Sequence, residues 1–266
     1  MNPGLNASAS GMRAQQMRID AIANNLANVN TTGFKRSRVT FQDLLYETLQ
    51  STQLVSYQNV DAVGPVQIGR GVRVVGNARI HNQGPIEPTE RLTDVAISGE
   101  GFFMVRLPND TIAYTRDGTF MIADSGALVT QEGHAILGLN ENPIFVPEGL
   151  AGRLSIAPNG QVAIEVDGEV TPVGEIALSR FMNDSGLESM GGNLLRRTDA
   201  AGEAIVGLPQ EGGFGQLVQG YLETSNVEIV QEMVDMIAAQ RAYEVNSKAI
   251  QTAEEMIENA INSLNR

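Results

Sequence analysis

The sequence of 266 residues predicts an α+β protein in which long helices at the two ends flank a central antiparallel β domain. Two observations indicate this fold class: the distribution of glycine and proline, and a seven-residue spacing of apolar residues at both ends. Residues 64–220 hold 25 of the 28 glycines and 9 of the 10 prolines, whereas residues 221–266 hold neither. Because these residues interrupt helices and favour turns, we expect helices at the ends and short strands in the centre.

The amino-terminal helix is predicted from about Pro3 to Asn30. Asn2 suits the N-cap, Pro3 suits the first helical position, and Gly33 is available to end the helix. An apolar stripe runs along this helix: Leu5, Met12, Ile19, Ile22, Leu26 and Val29. Such a stripe has to pack against another surface.

The carboxy-terminal helix is predicted from Asn226 to Leu264, because Ser225 and Glu228 have capping-box spacing and no helix breaker follows. At 1.5 Å per residue it would be roughly 58 Å long. Its apolar stripe recurs every seven residues: Ile229, Met236, Tyr243, Ile250, Ile257 and Leu264. A second lane is small or polar: Glu232, Ala239, Asn246, Ala253 and Ala260.

We interpret the two apolar stripes as subunit-assembly surfaces, with the helices supercoiling into a coiled-coil-like layer. The alternative is that the two helices belong to an ordinary bundle. Length favours assembly, since the centre offers no helix of matching length and much of each stripe would remain exposed on a monomer. Residues 1–40 and 220–266 are therefore assigned to a terminal helical assembly domain.

The centre is predicted to contain two β meanders, with short β-prone runs separated by turn sequences rich in Asp, Asn and Gly. The runs are Phe102–Arg106, Thr111–Thr115, Thr119–Ala123 and Ala127–Gln131, followed by Leu154–Ile156, Val162–Val166 and Val170–Val173. We expect a β-rich outer domain over residues 76–219. Residues 41–75 would form a connecting segment of extended or β-hairpin character.

The charge distribution argues against nucleic-acid binding by the whole chain and suggests that the two ends attract each other. The formal net charge is -13, yet residues 1–40 carry +4 and residues 221–266 carry -5. Candidates for this pairing are Arg13, Arg18, Lys35, Arg36 and Arg38, with Glu228, Glu232 and Asp235. The basic residues beside Phe34 could instead contact nucleic-acid or membrane phosphates, but three charges make a weak patch.

The residue pattern offers no convincing catalytic, cofactor or metal site. The chain has no cysteine, and its two histidines, His81 and His134, are expected in surface or turn positions. Asp94, Glu100, Asp117 and Asp124 could pair as a glycosidase acid and nucleophile, but most fall in predicted turns. Gly69-Arg70-Gly71 and Gly212-Gly213-Phe214-Gly215 are interpreted as flexible loops rather than anion cradles. We therefore expect a protein without catalytic activity, metal or cofactor.

No run of 18 apolar residues exists, so no membrane span is predicted. The first twelve residues also lack the continuous apolar stretch of a secretory signal peptide. Export would therefore need another route.

Several runs resemble the signature sequences of the flagellar rod and hook protein family. They are ANNLANVNTTGFK at residues 23–35, SGEGFF at residues 98–103, YTRDGTF at residues 114–120 and EMVDMIAAQRAYE at residues 232–244. Within the family, the length and the stretch QIGRGV at residues 67–72 are most similar to distal rod subunits. The opening residues 1–5 and the polar insertion at residues 46–63 depart from the family pattern.

The resemblance implies a structural subunit that is exported by the flagellar type III apparatus without a cleaved signal peptide. It implies assembly into a hollow helical rod that crosses the periplasm, transmits torque and passes later subunits. The implied partners are further copies of the chain, the proximal rod proteins, the hook protein and the L-ring and P-ring bushing proteins. A hook or proximal rod protein and a secreted enzyme with helical ends remain as alternatives.

Overall fold

The computed structural model describes residues 3–50, 66–147, 154–166 and 169–264. The predicted N-cap Asn2 and most of the polar insertion lie outside these residues. The chain divides into two compact units. The helical unit comprises Met1–Leu26, Ser37–Ala78 and Ile229–Arg266, and the β unit comprises Ala27–Arg36 and Arg79–Glu228.

In its described residues the helical unit has two helices and four strands: α1 (Pro3–Ala27), β1 (Ser37–Asp43), β2 (Tyr46–Gln50), β3 (Val66–Gly69), β4 (Val72–Arg79) and α2 (Ile229–Leu264). β1 pairs with β4, and β2 pairs antiparallel with β3. The segment predicted to connect the helix to the β domain thus forms strand pairs. Among the described residues, neither helix is long and apolar enough to cross a bilayer.

Helix α1 ends three residues earlier than predicted. Its last residue is Ala27, and the chain then turns, with the Thr31 N–H donating to the Asn28 carbonyl at 3.2 Å. Gly33, which was expected to end the helix, lies six residues beyond it with a φ of 67°. Its positive φ allows instead a close contact with the backbone of Asp117 and Glu223.

Helix α2 begins at Ile229, so the prediction of a capping box at Ser225 and Glu228 is wrong. The Ser225 hydroxyl accepts a hydrogen bond from the Val227 N–H at 3.3 Å, ahead of the helix. The Asn226 side chain donates to the Ile80 and Asn82 carbonyls at 2.9 and 3.0 Å. Those contacts hold residues 224–228 in a non-helical conformation, and the helix starts only after them.

The β unit is built from sixteen strands among the residues that the structure describes. They are β5 (Ile86–Pro88), β6 (Val95–Ser98), β7 (Phe102–Arg106), β8 (Ile112–Thr115), β9 (Phe120–Ile122), β10 (Leu128–Thr130), β11 (Ala135–Ile136), β12 (Leu154–Ile156), β13 (Gln161–Val166), β14 (Glu169–Glu175), β15 (Leu178–Arg180), β16 (Glu188–Gly191), β17 (Leu194–Arg196), β18 (Ile205–Gly207), β19 (Gln216–Gln219) and β20 (Tyr221–Glu223).

Every registered strand pair is antiparallel, which confirms the predicted sheet type. The largest sheet has the order β16-β17-β8-β7-β11-β10-β9, and β15 joins it by pairing with both β7 and β18. A second sheet contains β12, β13 and β14, while β19 pairs with β6 and β20 pairs with β5. The second predicted meander is confirmed as β12–β14. The four strands of the first are present as β7–β10, but the predicted meander is wrong, because β8 pairs with β7 and β17 and β9 pairs with β10, so β8 and β9 are not neighbours.

Strand β7 is the centre of the core because both of its faces are covered. Phe103 and Val105 belong to one apolar cluster, and Phe102 and Met104 belong to another. The Phe103 ring packs edge-on against Phe120 with ring centroids 5.0 Å apart. A strand buried on both faces reads as a continuous apolar run, which is why this sequence does not alternate.

Candidate assembly surface and buried charge cluster

The two helices lie side by side and antiparallel. A Cβ built on Gly11 would lie 3.0 Å from the Asn246 side chain, and Arg18 donates to Asp235 at 2.9 Å. Asn25, two turns further along α1, donates to Glu232 at 3.2 Å. Residue numbers thus rise along α1 as they fall along α2. The helices of the two ends are therefore partners within one chain.

The lane of α2 that faces inward is the small and polar one. Glu232 and Ala239 are buried, and Asn246 and Ala253 are half-buried. On α1 the buried residues Ala14 and Ala21 are also small. Small side chains on both helices allow a close approach, and Ile22 is the one large apolar residue buried on the described part of the two helices.

The large apolar residues of α2 largely point to solvent. Three residues of the predicted stripe are exposed: Ile229, Tyr243 and Ile257. Met236 and Ile250 are half-buried, and the side chain of Leu264 is not among those that the structure describes. On α1 the predicted residues are better covered. Ile22 is buried, and Leu5, Met12, Ile19, Leu26 and Val29 are half-buried.

The seven-residue pattern missed a second exposed apolar stripe on α2. Val230 is 76% exposed and Val234 is 56% exposed, and Met233 and Ile237 lie beside them. The four residues have the spacing i, i+3, i+4 and i+7, which puts them on one face of a helix. We call this set the outer stripe of α2. Its spacing was present in the sequence and could have revealed it.

Asn25 joins three elements of the helical unit and is 1% exposed. Its amide donates to the Ser37 carbonyl at 2.9 Å and to Glu232, and its side-chain oxygen accepts from the Ser37 N–H at 2.9 Å. The side chain of one residue thus connects α1, the start of β1 and α2. A buried amide with its donors and acceptor satisfied stabilises one specific arrangement of these elements.

In the β unit, a buried charge cluster forms around Glu223, at the end of β20. One carboxylate oxygen accepts from the Lys35 ammonium and from the Gly84 N–H, the latter at 2.9 Å. The other oxygen lies 3.2 Å from an Arg116 guanidinium nitrogen. The side chains of Lys35, Glu223 and Arg116 are 2%, 0% and 6% exposed. The cluster therefore combines two cations and one anion out of contact with water.

Further hydrogen bonds hold the two cations of the cluster, although the buried Arg116 Nε has no partner among the described residues. Lys35 also donates to the Asn82 carbonyl at 2.8 Å, and Arg116 donates to the Gly99 carbonyl at 2.8 Å and lies over the Phe102 ring. Burial lowers the pKa of Lys35, and the Glu223 carboxylate opposes this shift. The ion pair with Glu223 therefore counteracts the cost of burying the ammonium.

Gly33 allows residues 27–36 to approach this cluster. A Cβ on Gly33 would lie 2.7 Å from the Asp117 backbone nitrogen, and the Gly33 N–H donates to the Glu223 carbonyl at 2.8 Å. Any other residue would clash with the backbone and strain the positive φ. The segment TTGFK and the segment RDG, which were noted only as separate motifs, therefore meet at one place.

The charged residues predicted to pair between the two ends differ in their partners and in their exposure. Arg18 contacts Asp235, and Glu232 contacts Asn25, whereas Lys35 pairs with Glu223, which precedes α2. The Arg36 backbone N–H donates to Asn226 at 2.8 Å. The side chains of Arg13, Arg38 and Glu228 are exposed.

His81 lies between β4 and β5 and is half-buried, but both of its ring nitrogens are shielded from solvent, which a surface role did not predict. Its ring packs edge-on against Phe102 with centroids 5.5 Å apart, and neither ring nitrogen has a hydrogen-bond partner among the described residues. Burial and the nearby cations Lys35, Arg116 and Arg79 lower the pKa of His81 to about 4. The imidazole is therefore neutral at pH 7.

The remaining candidates for chemistry have local structural contacts. His134 lies in the turn between β10 and β11, with its Nε2 atom 3.3 Å from a Glu132 oxygen. Asp117 accepts from the N–H and the hydroxyl of Thr119 at 3.0 and 2.7 Å, as expected for a turn residue.

The other three candidate carboxylates differ in their surroundings. Asp94 accepts from Thr89 at 2.9 Å, Glu100 lies 3.4 Å from Arg180, and Asp124 is exposed. Asp94 and Glu100 thus have local polar partners.

Both glycine-rich segments serve close approaches rather than simple flexibility. A Cβ on Gly71 would lie 2.1 Å from the Ser10 hydroxyl, so this glycine lets the chain contact α1. In the second segment the Gly213 carbonyl accepts from Arg180 at 3.4 Å. A Cβ on Gly207 would lie 2.5 Å from the Phe214 ring.

Three family descriptions match the sequence. Residues 5–35 match "Flagella basal body rod protein", residues 96–164 match "Flagellar hook protein FlgE/F/G D1 domain", and residues 218–264 match "Flagellar basal body rod FlgEFG protein C-terminal". The first and third segments contain all of α1 except its first two residues, the whole of α2 and both members of the Lys35–Glu223 pair.

Relatives cover nearly the full chain. "Flagellar basal-body rod protein FlgG" of Borreliella burgdorferi is 46% identical over 94% of this chain and 94% of that protein. The protein of the same name from Bacillus subtilis is 38% identical over 95% and 96%, respectively. "Flagellar basal-body rod protein FlgF" of Caulobacter vibrioides is 34% identical over 100% of this chain and 99% of that protein. The chain therefore belongs to the family of flagellar basal-body rod proteins that includes FlgG.

Proposed function

We propose that this chain is a structural subunit of the flagellar distal rod and polymerises through its terminal helices into a hollow helical tube. The tube would transmit torque and leave a channel for subunits exported later. Family membership supports the rod assignment, because relatives over nearly the whole length are named basal-body rod proteins. The role is structural and involves no catalysis.

The observation that carries the assembly mechanism is the outer stripe of α2. Val230, Met233, Val234 and Ile237 are each more than half exposed on one face of a 36-residue helix. Burying such a face against other copies removes apolar surface from water, which is the main driving force of association. In the polymer, the two terminal helices would form a coiled-coil-like inner layer.

Each segment of the chain would have its own role in the polymer. Residues 1–40 and 220–266 would form the assembly domain, residues 41–75 the connecting segment, and residues 76–219 the outer β domain. The proposed partners are further copies of the chain, the proximal rod proteins, the hook protein and the ring bushing proteins. The rod would cross the periplasm, with subunits delivered by the type III export apparatus.

The mechanism is tested by placing a charge on the outer stripe. We expect Val234→Asp to prevent polymers from forming in concentrated protein, as seen by electron microscopy and sedimentation. Val170→Asp is the matched control, because Val170 is a similarly exposed valine, at 68%, in the β unit. Hollow filaments from Val234→Asp at the wild-type protein concentration would contradict the proposed mechanism.

A further inference from the structure

The last turns of α2 differ from the rest of the helix. Every described side chain from Glu254 to Ser263 is exposed, whereas buried or half-buried positions recur from Glu232 to Ala253. The antiparallel alignment with α1 places Pro3, its first residue, level with about residue 254. We call residues 254–263 the α2 extension. It is a helical end with no cover among the described residues.

One face of the α2 extension combines acidic and apolar side chains. Glu254, Ile257, Glu258 and Ile261 follow the spacing i, i+3, i+4 and i+7 and therefore share a face. Ile261 is 53% exposed. A surface that covers this face has to bring apolar contact and positive charge together, because buried carboxylates need a cationic partner.

The outer face of the β1–β4 ribbon has that character. Alternation along the two strands exposes six side chains: Arg38, Thr40 and Gln42 on β1, and Arg73, Val75 and Asn77 on β4. Arg73 donates to Gln42 at 2.7 Å, which places its guanidinium on this face. These six residues include two cations and an exposed valine and no carboxylate, although Asp43 follows at the end of β1.

We propose that the α2 extension of one copy docks on the outer face of the β1–β4 ribbon of a second copy. The contact rests on the proposed polymerisation and specifies one of its interfaces. Glu254 and Glu258 lie against Arg38 and Arg73, and Ile257 and Ile261 cover Val75. Along its axis the helical face spans about 10 Å, and the ribbon face from Arg38 to Gln42 spans about 13 Å. These lengths match within the reach of the side chains.

The occupant is a second copy rather than the same chain, because the helix cannot fold back. No glycine or proline lies in α2, and sharp bends in helices almost always occur at such residues or at local ladder defects. The ribbon contacts the first turns of α1, where the Val72 N–H donates to Ser10 at 3.2 Å. A continuous α2 continues past Pro3, away from those turns.

Charge reversal tests the contact. We expect Glu258→Arg to raise the protein concentration needed for polymerisation at least tenfold at low ionic strength. Adding Arg73→Glu, or Arg38→Glu, to that variant restores assembly to within about threefold, because the opposite charges then face each other again. Glu255→Arg is the matched control: it makes the same charge change on the same turn but on another face.

Cross-linking provides a readout that does not depend on polymers. The chain contains no cysteine, so a disulfide can only form between introduced residues. We expect oxidation of a mixture of Ile257→Cys and Val75→Cys proteins to give a covalent heterodimer. Met256→Cys, on the opposite side of the helix, is the control and remains monomeric with the same partner.

The outcomes separate this contact from the proposed function. If Glu258→Arg polymerises like Glu255→Arg and the cysteine mixture does not cross-link, the docking contact is wrong. Loss of polymers in Val234→Asp would then still support assembly through the outer stripe. If the unmodified chain forms no polymers at all, the proposed function fails, and the cross-linking result alone decides whether two copies meet at this surface.

Discussion

The β unit and the helical unit bury different kinds of residue. In the β unit, large apolar side chains such as Phe103 and Phe120 are completely enclosed, and even the charges of Lys35 and Glu223 are buried. In the described part of the helical unit the enclosed residues are alanines or polar side chains apart from Ile22, and most large apolar residues of α2 face solvent. One unit thus encloses large apolar side chains within the chain, whereas the other leaves large apolar side chains of α2 exposed.

This difference separates the source of stability from the source of assembly. A long helix gains most of its stability from packing an apolar face rather than from intrinsic propensity. Helix α2 packs only a narrow, small lane against α1, so its outer stripe stays exposed in the single chain. We therefore expect substitutions in the β unit to change folding, and substitutions on the outer stripe to change polymerisation.

The largest expected effect is the loss of the anion in the buried charge cluster. Glu223→Ala leaves the charges of Lys35 and Arg116 buried without a partner, and we expect a loss of about 3–5 kcal/mol in the free energy of unfolding. Urea unfolding of the monomer, followed by circular dichroism, measures this change.

Glu203→Ala is the control for that prediction. Glu203 also pairs with an arginine, Arg197, but its side chain is 88% exposed. Its removal is expected to cost less than about 1 kcal/mol. Equal effects of the two substitutions would show that burial does not set the strength of the Glu223 contacts.

The next effect is a pH dependence from His81 in the same unit. The folded state lowers the pKa of His81 from 6.5 to about 4, so the unfolded chain binds this proton more readily. Stability is therefore complete above pH 6.5 and falls as the pH decreases towards 4, by up to about 3 kcal/mol from this group. We expect His81→Phe, which keeps a ring against Phe102, to remove this component from the pH profile of unfolding.

Other carboxylates also titrate near pH 4, so the comparison is between the two pH profiles. The contribution of His81 is the part of the pH dependence of the unfolding free energy, between pH 4 and 6.5, that the His81→Phe variant lacks. Parallel profiles for the wild-type chain and His81→Phe would mean that the imidazole stays solvated in the folded protein.

Local sequence signals predicted the strands well because each acts over a few residues. Turn sequences such as Pro158-Asn159-Gly160 bound the strands of the second meander, and the run Phe102–Arg106 is confirmed as β7. Failures occurred where distant residues override local preference. The capping-box spacing at Ser225 was real, yet Asn226 contacts backbone groups near residue 80 and delays the helix.

The buried charge cluster and the outer stripe show two further limits of predicting the structure from the sequence. Lys35 and Glu223 are 188 positions apart, and no periodicity connects residues across such a distance. The seven-residue spacing of α2 predicted a stripe that stays exposed on the single chain, and Ile229, Tyr243 and Ile257 are exposed, but the spacing missed the outer stripe. Because Ala239 and its neighbours are small enough for close helix packing, the small lane faces α1 and the large residues turn outward.

The third prediction tests that close packing. Ala239→Leu adds volume where the side chain is completely buried, and we expect it to destabilise the helical unit by about 1–3 kcal/mol. Ala238→Leu introduces the same side chain at the adjacent exposed position and is expected to change monomer stability by less than about 0.5 kcal/mol. Hydrogen exchange of α1 and α2 measures both effects, and equal protection in the two variants would argue against a tight interface.

The smallest expected effect concerns the ion pair between the helices. Arg18 and Asp235 are 2.9 Å apart, but their side chains are 37% and 34% exposed. Solvent and salt screen such a pair, so Arg18→Ala should cost less than about 1 kcal/mol, and less still in 1 M salt. Arg13→Ala on the exposed side of α1 is the control. A salt-independent loss approaching that of Glu223→Ala would mean that the helical unit, like the β unit, depends on a desolvated charge pair.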